Sequence, residues 1–310
     1  MLQSLIGHTP LIALGSTQSV NVLAKAEWLN PTASIKDRVA AYIIEKKRAD
    51  GSLAPGQPIV EASSGNMGTS LAAIGRAYGH PVHVTCPAKT GQMKRGMIQA
   101  LGAELTICPD TTDGQSPDFY VNRAMAIAES VGGILINQYD NPLNPACHYD
   151  TTGAEIVEQC HKQGIVPDYL VTVGGSGGTI SGVGKRLKED FPDCQVIMPD
   201  PVGSVYYDLF YHGKIIPDNV KGYRTEGPGN PVFCQSMDFS VIDQVVQFDD
   251  AMAFDGCAQL AKDTGICAGH SSGANYAVVQ ELLKTLDLNK PATIITMILD
   301  SGMKYPHLFE

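Results

Sequence analysis

The chain has 310 residues, 44% hydrophobic and 17% charged, with 22 Lys and Arg against 32 Asp and Glu for a formal net charge of −10. That length buries a large apolar surface without staples and allows about two domains, at roughly 100 to 200 residues each. The acidic balance argues against nucleic acid or an anionic membrane surface as the main partner, and no window approaches the ~18 uninterrupted apolar residues of a membrane span.

Met1 to Pro10 carry neither a basic n-region nor an apolar h-region, so a cytoplasmic protein is expected. The eight cysteines are scattered without a CxxC, which predicts reduced, mostly buried thiols and no metal site. Along the chain, β-rich runs at 21–27, 58–62, 82–86, 104–108, 133–138, 169–173, 195–198 and 293–299 alternate with helix-period segments. The helices are expected at 35–49, 69–78, 117–129, 154–162, 179–189, 251–262 and 273–284. Strands that stay apolar without alternation, separated by helices, indicate parallel sheets covered on both faces, an α/β doubly wound architecture. The stretch 201–233 lacks periodicity and reads as a long excursion over a site.

Sheets of this kind bind ligands where strands end and helices begin, and four such turns stand out. In Asn30 to Arg38, Ser34 and Asp37 read as a capping box, which places Lys36 in the first helical turn. The dipole there disfavours an ammonium and favours a neutral amine able to form a Schiff base; a solvated surface lysine is the plain alternative. Glu61 to Gly68 bring the hydroxyls of Ser63 and Ser64, the amide of Asn66 and two glycines to a helix start, a nest suited to a carboxylate or a simple cap by Ser64. Gly174 to Thr179 hold four glycines in five positions after an apolar strand. With no Gly-Lys-Ser/Thr and no GxGxxG spacing, a monophosphate is the natural ligand, and a turn needed only for packing is the alternative. Ala268 to Asn275 offer a hydroxyl for a ring nitrogen, or a helix cap.

With Gly7 to Leu11, Asn30 to Arg38, Ser63 to Gly68, Ala100 to Glu104, Asn137 to Pro142, Gly175 to Thr179 and Asp300 to Gly302 in this order, the chain resembles a known family. It is similar over its whole length to the pyridoxal-phosphate β-replacement enzymes of the tryptophan synthase β fold (fold type II), the group of cysteine synthase and cystathionine β-synthase. The resemblance implies two doubly wound domains with mostly parallel sheets. Residues 1–39 plus 146–310 would form the larger, phosphate-binding domain, and 40–145 a smaller mobile domain with the substrate-carboxylate loop. Lys36 would hold pyridoxal 5'-phosphate covalently and later take the substrate's Cα proton. Gly175, Ser176, Gly177, Gly178 and Thr179 would bind its phosphate and Asn66 its 3-hydroxyl. Ser271, with Ser272 as the competing alignment, would face the pyridine nitrogen and leave it neutral, which favours β-elimination over transamination. Ser63, Ser64, the backbone of Met67 and Gln138 would hold the amino acid carboxylate.

The reaction so implied runs through an aminoacrylate from serine or O-acetylserine to cysteine or cystathionine with a thiol nucleophile, in a homodimer. Segments 148–152, 200–204, 226–229 and 238–243 look more like cystathionine β-synthase, and Glu226 would protonate a poor leaving hydroxyl, a solvated loop glutamate being the alternative. No heme-binding extension and no C-terminal regulatory modules are expected. Three positions depart from the family pattern: Met67 for Thr, Thr32-Ala33 for Gly-Gly, and Met93 for Glu. Serine or threonine deamination, or a 2,3-diaminopropionate-type synthesis with an amine nucleophile, is the alternative activity.

Overall fold

A computed structural model describes residues 2–16, 19–63, 65–111, 113–287 and 289–308. In chain order the elements are β1 (Leu11–Ser16), β2 (Val20–Ala26), α1 (Lys36–Ala49), β3 (Ile59–Ala62), α2 (Asn66–Ala77), β4 (Val82–Pro87), α3 (Gln92–Ala100) and β5 (Glu104–Cys108). There follow α4 (Tyr120–Ser130), β6 (Ile134–Leu135), α5 (Leu143–Cys147), a π-helix (His148–Gly153), α6 (Ala154–Gln163), β7 (Tyr169–Val171) and α7 (Gly178–Asp190). The chain closes with β8 (Gln195–Pro201), α8 (Tyr206–His212), β9 (Gln244–Phe248), α9 (Asp250–Thr264), α10 (His270–Thr285) and β10 (Ala292–Ile298).

The chain divides into two compact units, residues 1–6 with 30–143 and residues 7–29 with 144–310, so that Lys36 falls in the first. Unit 1 carries a parallel sheet in the order β5-β4-β3-β6. Its strand β3 is buried at every position, and Val60 and Ala62 pack against Ala124 and Ala128 of α4. Unit 2 carries the order β1-β2-β10-β7-β8-β9, parallel throughout except for the antiparallel edge pair β1 and β2. β10 runs in unbroken register with β2 from Ala292 opposite Val20 to Ile298 opposite Ala26, and Val278 and Val279 of α10 cover Val20, Val171 and Ile294. The fold is therefore α/β with mostly parallel sheets, as the uniformly apolar strands predict.

Several boundaries differ from expectation for local reasons. The strand expected at 133–138 shrinks to Ile134–Leu135, because Asn137 adopts a left-handed φ of 49° that ends the extended run. α2 and α10 each begin three residues early, at Asn66 and His270, where Gly65, Gly68, Gly269 and Gly273 mask the apolar period. β1, β9, α3, α5 and α8 are further elements, α8 lying inside the 201–233 excursion. No helix among the described residues is long and apolar enough to cross a membrane. Seven of the eight cysteines are buried; burial pushes the Cys160 thiol up to about 11 and those of Cys194 and Cys257 up to about 12.

Candidate active site

In unit 2, β7 ends at Val171 and its continuation is pinned by Asn275 of α10. The buried Asn275 side chain accepts from the Val173 N–H at 2.8 Å and donates to the Met297 carbonyl at 2.9 Å. The chain then turns through Gly174 to Gly177, the last with a left-handed φ of 93°, into α7. Among the described residues, none accepts a hydrogen bond from the N–H of Gly175, Ser176, Gly177, Gly178 or Thr179. The opposite faces of the same peptides are held: the Tyr206 hydroxyl donates to the Gly175 carbonyl at 2.6 Å and the Gly229 N–H to the Gly174 carbonyl at 2.7 Å. The result is a helix N-terminus with five donors and no acceptor of its own, a ready site for an anion.

Both hydroxyls of this loop are backed by buried side chains. Asn144 of α5 donates through Nδ2 to Ser176 Oγ at 2.9 Å, and Nε2 of His148, on the π-helix, lies 3.3 Å from Thr179 Oγ1. The glycines also have steric reasons inside unit 2. A Cβ on Gly174 would lie 2.6 Å from Met198 Sδ, on Gly177 2.5 Å from Met237 Cα, and on Gly178 2.1 Å from Asn144 Oδ1. The glycine content thus serves close packing as well as backbone exposure, and by itself does not separate those two readings.

Gly227, with a φ of 102°, lies beside both this loop and α10. Its carbonyl oxygen is where a Cβ of Gly175 would go, and its own Cβ would stand 3.6 Å from Ser271 Cβ. Glu226, half-buried, donates its backbone N–H to His270 Nδ1 at 3.0 Å, and the His270 ring packs 4.7 Å from Tyr305 and 4.9 Å from Phe254. Unit 2 therefore brings together the glycine loop, the Glu226 turn and Ser271. The two candidate serines part company here: Ser272 Oγ accepts from the Leu299 N–H at 2.9 Å, at the end of β10. Near the end of β8, the Asp200 carboxylate accepts from the Tyr207 N–H at 3.0 Å, and burial pushes it up to about 7.

In unit 1, Lys36 is the first residue of α1 and half-buried. The capping box forms differently from expectation. Ser34 Oγ accepts from the Lys36 N–H at 3.2 Å, whereas the Asp37 carboxylate turns back to the N–H and hydroxyl of Thr32, at 2.6 and 2.5 Å. Ala33 lies between Thr32 and Ser34 at a φ of 55°, a left-handed conformation more natural to glycine. At the second turn the cap is Ser63, whose Oγ accepts from the N–H groups of Gly65 and Gly68 at 3.3 and 3.0 Å; Ser64 lies outside the described residues. Asn66 opens α2, half-buried, and Met67 turns its side chain into the core at 1% exposure. Met93 is 46% exposed on α3, so that departure is a surface one.

Glu61 is a residue the sequence reading passed over. Fully buried at the end of β3, its Oε2 accepts from the Asn137 N–H at 2.9 Å, which ties the Ser63 turn to the segment holding buried Gln138. Burial pushes its carboxyl up to about 8, against the pull of the Asn137 and Gln138 amides and of Lys36. The available signal was a lone charge in an otherwise apolar strand. Asn144, His148 and Tyr206 gave no such signal, since they lie on short helices without a clear period.

Against known proteins, the family described as Pyridoxal-phosphate dependent enzyme matches residues 2–300. The chain is 34% identical over 296 residues to cystathionine beta-synthase of Apis mellifera, covering 94% of this chain but 57% of that one. It spans, then, a little over half the length of that relative. It is 32% identical over 308 residues to cysteine synthase of Staphylococcus aureus, covering 98% and 94%. Among solved structures, O-ureido-L-serine synthase superposes with a TM-score of 0.89 at 30% identity, over 99% of this chain and 94% of that one.

Proposed function

The chain belongs to the pyridoxal-phosphate dependent enzymes, and from that premise we propose that it exchanges the β-substituent of serine, or of an O-activated serine such as O-acetylserine, for a thiol, giving cysteine or cystathionine. The observation that carries this reading is the loop 174–179, whose amides have no acceptor among the described residues and whose carbonyls at Gly174 and Gly175 are already bonded. A donor-only cradle at a helix start fits the phosphate of pyridoxal phosphate. When bound, that cofactor supplies an electron sink that loosens the substrate's Cα proton and its β-substituent.

In this reading Gly175, Ser176, Gly177, Gly178 and Thr179 hold the phosphate. Lys36 Nζ, at the start of α1, holds the cofactor's carbonyl carbon and afterwards carries the Cα proton. Ser271 faces the ring nitrogen, a role for which it is freer than Ser272, and Asn66 bonds the 3-hydroxyl. Ser63, Ser64, the Met67 N–H and Gln138 bind the substrate carboxylate. Ser63 Oγ accepts two amides, so its own hydrogen remains to donate. Glu226 protonates the departing oxygen, its turn pinned by His270. Residues 1–39 with 146–310 serve the phosphate, and 40–145 act as a mobile segment for the carboxylate. A cytoplasmic homodimer completes the proposal.

The test is to mix the purified protein with serine or O-acetylserine, add sulfide, cysteine or homocysteine, and identify the product by mass. A new thiol or thioether supports the proposal. Pyruvate formed without any thiol would select serine or threonine deamination. Product only with an amine or an oxygen nucleophile would select a 2,3-diaminopropionate-type synthase or the O-linked chemistry in the name of the structural relative.

A further inference from the structure

We infer that Asn144 and His148 are positioning residues that set the direction of the Ser176 and Thr179 hydroxyl hydrogens, making both hydroxyls donors toward the phosphate. The inference rests on the reading of loop 174–179 as a phosphate site and goes beyond it to the layer behind the loop.

Asn144, His148 and Thr152 are each 0% exposed, on α5 and the π-helix that follows it. They reach the loop because α7 has no side chain in the way. A Cβ on Gly178 would lie 2.1 Å from Asn144 Oδ1, and one on Gly182 would lie 2.8 Å from His148 Cβ. Asn144 Nδ2 can only donate, so at 2.9 Å it fixes Ser176 Oγ as an acceptor on that side and turns the Ser176 hydrogen elsewhere.

His148 makes the same choice through its tautomer. Its Nδ1 lies 2.9 Å from Thr152 Oγ1 and its Nε2 3.3 Å from Thr179 Oγ1, and a neutral imidazole carries one hydrogen between those two atoms. If Nδ1 holds it, Thr179 must donate to Nε2 and present only lone pairs to an anion. If Nε2 holds it, Thr152 donates to Nδ1, His148 donates to Thr179 Oγ1, and the Thr179 hydrogen is directed to the anion. An anion on the acceptor-free amides of residues 175–179 selects the second arrangement. A π-helical turn, a rare element often found at functional sites, presents His148 and Thr152 together for it.

The experiment uses the holoprotein and reads the bound cofactor's phosphorus NMR resonance together with its equilibrium dissociation. His148→Ala is expected to weaken cofactor retention by about tenfold, the lower end for loss of a supporting hydrogen bond behind a ligand, and to move the phosphorus resonance toward that of free cofactor. His148→Gln, which keeps a donor N–H at similar reach, is expected to restore both. Thr152→Val, which removes the donor to Nδ1 with little change of shape, is expected to shift the resonance in the same direction by less, and it carries the comparison if His148→Ala does not fold. A folded His148→Ala with parental retention and resonance overturns the inference, as does a Gln variant no better than Ala. A parent protein with no bound phosphorus resonance would instead overturn the phosphate site itself.

Discussion

The carbonyl oxygen of Gly227 stands 2.0 Å from the position a Cβ on Gly175 would occupy, so the turn before α7 and the turn after Glu226 meet backbone to backbone. Gly175→Ala must push one of them aside, and both carry proposed site residues. Turnover is expected to fall by about 100-fold, the scale of an ångström-sized misplacement. Gly96→Ala is the control: nothing lies within 4 Å of its Cβ on α3, and it should add about 0.5–1 kcal/mol of stability. Steady-state rates and denaturant midpoints of the two variants check the pair.

Lys36→Ala should abolish turnover and the visible absorbance of the lysine-linked cofactor, expected near about 410 nm for such a conjugate. The carrying residue is then identified by the spectrum alone, before any substrate is added. Retained absorbance and rate would refute the assignment.

Ala33 holds a φ of 55°, and a left-handed residue with a Cβ carries roughly 1–2 kcal/mol of strain. Ala33→Gly releases that strain at a cost of about 0.4–1 kcal/mol in unfolded-chain entropy. Net stabilisation of about 0.5–1 kcal/mol is expected from urea melts. Ala33→Val should destabilise, because a β-branched side chain tolerates this region least.

Glu61 predicts a pH-dependent stability. Its ordinary value is 4.5 and burial raises it to about 8 in the folded protein, so between those limits the folded state holds a proton that the unfolded chain has released. Folding stability from this group is intact below pH 4.5, declines as pH rises, and is fully lost above about 8. Glu61→Gln removes the titration and keeps the shape. Its stability relative to the parent should increase steadily with pH across that window, reaching on the order of 5 kcal/mol above pH 8. A gap that stays constant from pH 5 to 9 would refute it.

Much of this was readable from residue order because its causes are local. Uniform apolar runs such as Val196 to Met198 give parallel strands, and Lys36 begins a helix because the residues after it keep a helical period. What depended on three-dimensional context was hidden. Asp37 fits a capping box with Ser34 by spacing, yet the left-handed Ala33 brings Thr32 within its reach instead. Ser63 and Ser64 are equivalent in one dimension, and only the turn decides that Ser63 meets the Gly68 amide. The four glycines of the loop look like an open approach to a ligand, but Met198, Met237, Asn144 and Gly227 also need the space. Those partners lie 20 to 60 residues away, beyond any spacing argument.

The connectivity of the two units bears on the order in which the chain can fold as it is made. The four strands of unit 1 all lie between residues 59 and 135, so its sheet can assemble from one continuous stretch. In unit 2, β2 has β10 as its parallel neighbour, with Val20 opposite Ala292. That pairing must wait until residues 292–298 have left the ribosome, during which β2 keeps that edge unpaired. Unit 1 is thus placed to fold first, and the emerging chain needs protection at residues 20–26 until β10 arrives.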